Sequence, residues 1–161
     1  IRALANGLPA VVVDGSDLDA RSDLLYGAYL AGSAFAVAGS GLHHKICHVL
    51  GGAYDLPHAQ THAIVLPHVL AFNVPGAPSA AARIGRALGL ADPVAGLQSL
   101  SKRVGIPTGL RDIGLRNDQL DEAVALIEPA VPADNPVPVT TVALRSLLEA
   151  AWSGEAEAEK P

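Results

Sequence analysis

The stretch GLHHKICHVLGGAYDLPHAQTHAIVLPHVLAFN, residues 41–73, contains all six histidines of the chain. His44 and His48 are four residues apart, and His58 and His62 repeat that spacing. Residues four apart project from the same face of a helix. Because the Gly-rich connection between the two pairs is short, we predict two adjacent helices that direct these four side chains toward one pocket.

The remainder of the chain also predicts helices. Half of the 161 residues are hydrophobic, mainly Ala and Leu, and only 4% are aromatic. Ala and Leu are the best helix formers, so we predict an all-α fold, with helices separated by Pro and Gly. The predicted helical segments are residues 1–5, 18–38, 42–50, 57–66, 77–88, 93–104, 119–127 and 140–152.

Particular residues set the expected ends and burial of these helices. Pro9 and the residues before it are expected to stop the first helix, Gly51–Gly52 to end the third, and Pro67 to kink or end the fourth. The segment 18–38 is apolar nearly all round, which is typical of a buried core helix. Residues 1–152 are expected to form one helical domain, followed by a disordered acidic tail, residues 153–161.

Composition excludes several classes of function. A net charge of −5 and a pI near 5.6 exclude a nucleic-acid binder, because there is no basic surplus to neutralise phosphates. We find no run of about 18 apolar residues that predicts a membrane span. One cysteine excludes an intrachain disulfide and indicates a reducing compartment, which we take to be the cytoplasm. The chain starts at Ile1 within a helical segment and has no Met, so we expect an N-terminal portion to precede it.

The histidines can act as metal ligands, as general acids or bases, or as donors to an anion. His44 and His48 have the spacing that metal sites on helices use. Lys45 occupies the position at which a zinc-protease helix would carry Glu, which argues against a metalloprotease. Asp55 is the only acidic residue near the cluster, so any carboxylate ligand would have to come from elsewhere.

A structural role is the alternative for each of these side chains. Spacing and clustering favour a functional site for His44, His48 and His58. His43 is equally compatible with substrate contact and with simple exposure, whereas His68 is better explained as a structural residue. Cys47 would be reactive beside positive charge, but a buried apolar role is favoured.

The same stretch resembles the signature of the iron-containing (group III) alcohol dehydrogenases, of the form G-L-x-H-x-x-x-H-x-L-G-G-x-x-x-x-P-H. The combination H-H-K-x-C-H with P-H-A-x-T-H resembles the maleylacetate reductase branch of that family. The resemblance extends from RSDLLYGAYLAGSAF to ALRSLLEAAW and so covers nearly the whole chain. It implies the C-terminal helical domain of an enzyme whose N-terminal nucleotide-binding α/β domain is absent from this chain.

The resemblance also implies roles for individual residues. His44 and His58 match two ligands of a divalent metal, Fe or Zn, whose upstream Asp and His ligands are not in this chain. His48 matches a position near the nicotinamide of NAD(P)H and is our candidate proton donor. His43, Lys45 and His62 are assigned to binding of a small dicarboxylate substrate. Where the family commonly has N-P-R-P, this chain has Asn-Pro-Val-Pro at 135–138, so an anion contact by that Arg would be missing.

The implied reaction is NAD(P)H-dependent reduction of 2-maleylacetate to 3-oxoadipate in aromatic degradation, by a full-length enzyme expected to be a homodimer. The isolated chain is expected to be inactive and to expose an apolar surface where the nucleotide-binding domain docks. Two alternatives stay open. One is a metal-dependent alcohol dehydrogenase of the same family, acting on a small alcohol or aldehyde. The other is a non-catalytic helical metal-binding domain, which would need a full ligand set within this chain.

Overall fold

A computed structural model describes residues 1–154 of the chain. Within that range the regular elements are α-helices and short 3₁₀ turns, and no residue lies in a strand, which confirms the all-α prediction. The helices are α1 (Arg2–Val13), α2 (Leu18–Ala38), α3 (Leu42–Tyr54), α4 (His58–Asn73), α5 (Pro78–Leu88), α6 (Pro93–Arg103), α7 (Leu120–Ile127) and α8 (Thr141–Ser153).

The described residues form two compact units. The first unit contains Ile1–Gly39 and Pro78–Gly105, and therefore helices α1, α2, α5 and α6. The second unit contains Ser40–Ala77 and the residues from Ile106 onward, and therefore helices α3, α4, α7 and α8. All six histidines belong to the second unit. The expectation of one helical domain over residues 1–152 stays a prediction.

In the first unit, α1 lies closely against α2. A Cβ added at Gly27 of α2 would be 2.7 Å from Cγ of Leu4, and one added at Gly7 of α1 would be 2.8 Å from the carbonyl oxygen of Ala20. Real Cβ atoms do not approach other atoms this closely, so the two glycines are what allow the backbones to come together. Side chains at these positions would force the helices apart.

Helix α1 is longer than predicted. It continues through Pro9 to Val13 instead of ending near residue 5. An interior proline removes one backbone hydrogen bond and clashes with the preceding turn. Pro9 is buried, as is Gly7, so packing within the unit offsets that local cost. The local signal for a helix end is overridden here by tertiary contacts.

Helix α2 has the predicted bounds but not the predicted burial. Only Ala20 and Gly27 of its 21 residues are buried, and every residue from 28 to 39 is exposed. Leu25 is 75% exposed and Val37 is 91% exposed. The prediction of a buried core helix is therefore wrong for the chain as described. Apolar composition indicates that a surface avoids water, but it does not say which polypeptide covers it.

The apolar character of α2 also bears on membrane insertion. Among the described residues, no single helix is both long and apolar enough to span a bilayer. Helices α2 and α3 meet the criterion only when taken together as a pair with a sharp bend at the break between them, which is weak evidence for a span.

The second unit has a continuous hydrophobic core. Buried side chains on α3, α4, α7 and α8 pack together with Leu110 and Leu115 from the loop that precedes α7. Leu50 of α3 and Leu144 of α8 have no exposed surface. The Trp152 indole N–H donates to the carbonyl oxygen of Leu115 at 2.8 Å, which ties the end of α8 to that loop. The histidine-bearing helices α3 and α4 each contribute one face to this core, which fixes their position.

Both histidine-bearing helices are longer than predicted. Helix α3 runs through Gly51 and Gly52 to Tyr54, although each interior Gly costs about 1 kcal/mol relative to Ala. The Tyr54 ring packs against the core, and its hydroxyl donates to Oε2 of Glu122 at 3.3 Å, so tertiary contacts support the extra turn. Helix α4 likewise does not end at Pro67, which is buried within it.

The chain end is described only as far as Gly154. Helix α8 includes Ser153, and Gly154 follows it in the left-handed conformation, with φ +76°. The rest of the predicted acidic tail, residues 155–161, lies outside the described residues.

Candidate active site on helices α3 and α4

Helices α3 and α4 present their histidines beside the core of the second unit. Leu42, Ile46 and Leu50 form the buried face of α3. Residue Asp55 between the helices adopts the left-handed conformation, with φ +52°, so a turn of three residues reverses the chain. The buried Thr61 hydroxyl donates to the Pro57 carbonyl oxygen at 2.9 Å, which satisfies a polar group at the start of α4. The turn and the shared core together hold the two helices side by side.

Five of the six imidazole rings lie together; we call His43, His44, His48, His58 and His62 the imidazole cluster. His62 is at its centre and contacts each of the other four rings. The ring-centroid distances from His62 are 4.3 Å to His58, 4.9 Å to His43, 5.1 Å to His44 and 6.3 Å to His48. His48 is also 6.0 Å from His44 and stacks on His58 at 6.4 Å.

The structure therefore brings together the four side chains that the helical spacing selects. It adds His43, whose role the sequence leaves undecided. Its ring meets those of both His44 and His62. His68 is farther along α4 and is not among the ring contacts of the cluster. Lys45 is half-buried on α3, and within residues 1–154 its ammonium group forms no salt bridge.

One hydrogen bond crosses the cluster. His43 Nε2 is 2.9 Å from the His62 carbonyl oxygen. Because a carbonyl oxygen only accepts hydrogen bonds, Nε2 carries the proton and donates it. By contrast, His62 Nε2 is buried and has no hydrogen-bond partner. A buried polar nitrogen without a partner is costly, typically by about 1–3 kcal/mol, and so marks a place where a ligand atom would be stabilising.

Exposure divides the cluster into two parts. His48 and His58 are exposed, whereas His43, His44 and His62 are half-buried. Burial lowers the pKa of His43 and of His44 below the ordinary value for histidine. Burial, and then the neighbouring imidazoles, lower the pKa of His62 to about 4. The inner rings are thus neutral near pH 7, and the outer pair faces solvent.

This protonation pattern changes the electrostatics expected from the sequence. Several histidines together with Lys45 suggest a cationic site for a dicarboxylate. Desolvation disfavours the imidazolium form, so the half-buried rings act as neutral donors and acceptors. Lys45 then carries the fixed positive charge on this part of α3.

Cys47 is buried on α3 and only 1% exposed. Burial raises the pKa of its thiol to about 12, so the thiol is protonated and unreactive near neutral pH, in accord with the favoured apolar role. Its sulfur is nevertheless close to two rings. Ligand atoms of His43, Cys47 and His62 all lie within 4.8 Å of one another.

The donor set fits a divalent metal in part. His44 and His58 offer neutral imidazole nitrogens from adjacent helices, and both rings contact His62. Zinc and iron accept such ligands, but a structural or catalytic site needs three or four of them. Within residues 1–154, no carboxylate joins the close group of donors. A site built on His44 and His58 would therefore be completed by ligands from outside the imidazole cluster.

Comparison with known proteins identifies the family. Residues 1–152 match the C-terminal domain of the Fe-containing alcohol dehydrogenase family. The chain belongs to this family. Among curated relatives, a maleylacetate reductase of Sphingobium indicum is 46% identical over 154 residues, which is 96% of this chain and 44% of that protein. Maleylacetate reductase 1 of Rhodococcus opacus is 41% identical, over 95% of this chain and 43% of that protein.

Solved structures agree on the fold. An iron-containing alcohol dehydrogenase from Corynebacterium glutamicum superposes with a TM-score of 0.93 at 52% identity, covering 96% of this chain and 44% of that one. Maleylacetate reductase from a Rhizobium strain superposes with a TM-score of 0.90 at 38% identity, covering 96% and 43%. The chain thus spans less than half the length of the relatives that it matches.

Proposed function

We propose that this chain is the helical part of a maleylacetate reductase, which reduces the carbon–carbon double bond of 2-maleylacetate to give 3-oxoadipate with oxidation of NAD(P)H. The observation that carries the proposal is the cluster of five imidazole rings on α3 and α4, with Lys45 next to His44 in the sequence. It supplies proton donors, neutral hydrogen-bonding groups and one fixed cation within a short segment. The names of the curated relatives support this choice of substrate.

The chemistry of the substrate explains what these groups would do. The bound nicotinamide supplies a hydride. Hydride addition to the alkene carbon β to the ketone shifts the double-bond electron pair toward the carbonyl, and the ketone oxygen becomes an enolate oxygen. Protonation of the α carbon then restores the ketone and completes the reduction. The protein must therefore stabilise an oxyanion and deliver one proton.

His48 is the proposed proton donor to the α carbon. It is exposed and stacks on His58, so it can reach a substrate that approaches from solvent and can regain its proton afterwards. His43, Lys45 and His62 are proposed as the substrate-binding residues, with the Lys45 ammonium and a His62 N–H as donors to the substrate carboxylates and ketone. His62 Nε2 is buried without a partner, and with the ring proton on Nε2 it could donate to a substrate oxygen.

A divalent metal, Fe or Zn, would be held by His44 and His58 together with ligands from outside the imidazole cluster. When bound it would supply a Lewis acid at the developing oxyanion. The neutral state of His44 suits a ligand, because a protonated imidazole cannot coordinate. A metal-removal assay on the full-length protein tests whether the reaction depends on this metal.

The proposal includes a nucleotide-binding domain that works with this chain, and a homodimer of the full-length enzyme. The exposed apolar side chains of α2 support the presence of another polypeptide surface over that helix, since contiguous apolar patches mark interaction sites. The chain alone is proposed to be inactive, because it spans less than half the length of the reductases that it matches.

The second candidate is a metal-dependent alcohol dehydrogenase acting on a small alcohol or aldehyde. The lowered pKa values of His43 and His62 favour it, because neutral rings attract an anion less strongly than charged ones. A solved relative at 31% identity is described as a 1,3-propanediol oxidoreductase. A screen of the full-length protein against maleylacetate and against small alcohols and aldehydes distinguishes the two candidates. A protein that binds a metal but oxidises no NADH with any of these substrates would support the non-catalytic alternative.

Variants of the full-length protein test the mechanism. His48→Ala should lower kcat on maleylacetate by roughly 10²–10⁴-fold, with a smaller change in KM, because a proton donor acts in the transition state. Lys45→Ala should mainly raise KM, because its role is to bind a substrate carboxylate. Thermal melting of each variant controls for misfolding. A folded His48→Ala variant with wild-type kcat would remove His48 from the mechanism.

A further inference from the structure

A second group of donors lies beside the His44/His58 pair. His43 and Cys47 are four residues apart on α3 and therefore share a face. Because His43 and Cys47 each come one residue before His44 and His48, their face is rotated around the helix axis from the face of His44 and His48. His62 approaches it from α4, and ligand atoms of His43, Cys47 and His62 lie within 4.8 Å of one another. Sulfur with two imidazole nitrogens is a donor set typical of zinc and other thiophilic ions.

His43 is held in the form that a metal requires. Its Nε2–H donates to the His62 carbonyl oxygen at 2.9 Å, which leaves the lone pair on Nδ1. Metal-binding histidines commonly donate their other ring N–H to a backbone carbonyl in this way, since the bond sets both tautomer and ring orientation. The hydrogen bond thus prepares His43 to bind a metal through Nδ1.

His62 provides an independent observation. Its Nε2 is buried and has no hydrogen-bond partner, so the folded chain carries an unsatisfied acceptor or donor at the centre of the cluster. A metal ion that accepts the Nε2 lone pair would satisfy it. The role that the sequence favours for Cys47, a buried apolar residue, leaves this nitrogen unexplained.

We propose that His43, Cys47 and His62 form a binding site for a thiophilic divalent cation of the Zn²⁺ type, distinct from the His44/His58 pair. Bonds of roughly 2.0–2.3 Å in a tetrahedral site place ligand atoms roughly 3.3–3.8 Å apart, so side-chain rotation must close the 4.8 Å span by about 1 Å. Binding forms one metal–sulfur and two metal–nitrogen bonds and releases the Cys47 thiol proton to solvent, without any redox change. The fourth position is open to water, and a bound cation would occupy His43 and His62 in place of the substrate contacts proposed for these two residues.

The site is tested with Co²⁺, which replaces Zn²⁺ and gives an absorption band when a thiolate coordinates it. Cys47 is the only cysteine of the 161 residues, so a thiolate band from this chain arises from Cys47 alone. We expect the band on titration of the folded chain with Co²⁺, and its loss on addition of excess Zn²⁺. The readout is spectroscopic and does not depend on reductase activity, so it can fail or succeed independently of the proposed function.

Matched variants locate the ligands. Cys47→Ala keeps the buried position apolar and should abolish the band, while His43→Ala and His62→Ala should weaken Co²⁺ binding at least about tenfold. His68→Ala, also on α4 but outside the imidazole cluster, should leave the band and the affinity unchanged. Far-UV circular dichroism tests whether each variant is folded. If Cys47→Ala does not fold, Cys47→Ser is used in its place.

Three outcomes would overturn the site. One is the absence of a band from the folded wild-type chain at Co²⁺ concentrations up to the millimolar range. Another is a band that survives in a folded Cys47 variant. The third is a band that is lost with His58→Ala but retained with both His43→Ala and His62→Ala. In that case the Cys47 thiolate would bind the metal together with the His44/His58 pair.

Discussion

Helices α2 and α3 are both largely apolar, but their environments differ. Both contain mainly apolar and small residues, and both form where the sequence predicts a helix. Only Ala20 and Gly27 are buried in α2, whereas α3 buries Leu42, Ile46 and Leu50 in a core shared with α4, α7 and α8. The contrast shows that apolar composition specifies helix formation and a preference for burial. Apolar composition does not specify which surface covers the helix.

The largest expected effect compares the same substitution in the two helices. Leu50 is fully buried and Leu25 is 75% exposed. Leu50→Ala should lower the free energy of unfolding by about 2–5 kcal/mol through lost burial and a cavity, whereas Leu25→Ala should change it by less than about 0.5 kcal/mol. Urea unfolding followed by circular dichroism measures both. A large loss in Leu25→Ala would mean that α2 is covered in solution, and the comparison would no longer hold.

A smaller effect is expected where α2 does make contact. Gly27→Ala would place its Cβ 2.7 Å from Cγ of Leu4, which should destabilise the first unit by about 1–3 kcal/mol through overpacking. A Cβ added at Gly32, also in α2, would meet no atom within 4 Å, so Gly32→Ala should stabilise by up to about 1 kcal/mol through helix propensity. The same unfolding experiment measures the pair. Equal effects of the two substitutions would contradict the close approach of α1 and α2.

The smallest expected effect is on the pH dependence of stability, and it arises from the second unit, which contains α3 and α4. The pKa of His62 is about 4 in the folded chain against 6.5 when unperturbed. Between these values the unfolded chain binds more protons than the folded chain, so stability rises with pH across that window and is lost as pH falls. For a half-buried ring the contribution is about 1 kcal/mol between roughly pH 7.5 and 5.

His62→Gln isolates this contribution from the other titrating groups. The difference in unfolding free energy between roughly pH 7.5 and pH 5 should be about 1 kcal/mol smaller in the variant than in the wild type. Gln60→Ala, at an exposed and non-titrating position of the same helix, is the control and should leave the difference nearly unchanged. An unchanged pH dependence in His62→Gln would show that burial of His62 does not carry this effect.

Sequence reasoning locates the helices better than it locates their ends. The predicted bounds of α2 are correct, since it begins and ends where turn residues and packing agree. Pro9, Gly51 and Pro67 are local stop signals that the structure passes through, because buried contacts of α1, α3 and α4 outweigh costs of about 1–3 kcal/mol per residue. Such contacts join residues far apart in the chain and are invisible to a local pattern.

The histidine spacing identifies the site in the same limited way. Two i, i+4 pairs suffice to bring His44, His48, His58 and His62 to one place, because helical geometry fixes which side chains share a face. The spacing of His43 and Cys47 is equally visible. Only the approach of α4 shows that the His43 ring meets His62 rather than solvent.

By itself, the sequence determined that the chain is helical, that its histidines gather on two adjacent helices, and which family signature they carry. These properties depend on residue type and on separations of a few residues, which the helix converts directly into geometry. The tertiary structure decided which apolar helix is buried, which imidazoles are neutral, and which nitrogen is left without a partner. Burial and desolvation depend on every element packed around a side chain, and no local sequence pattern contains that information.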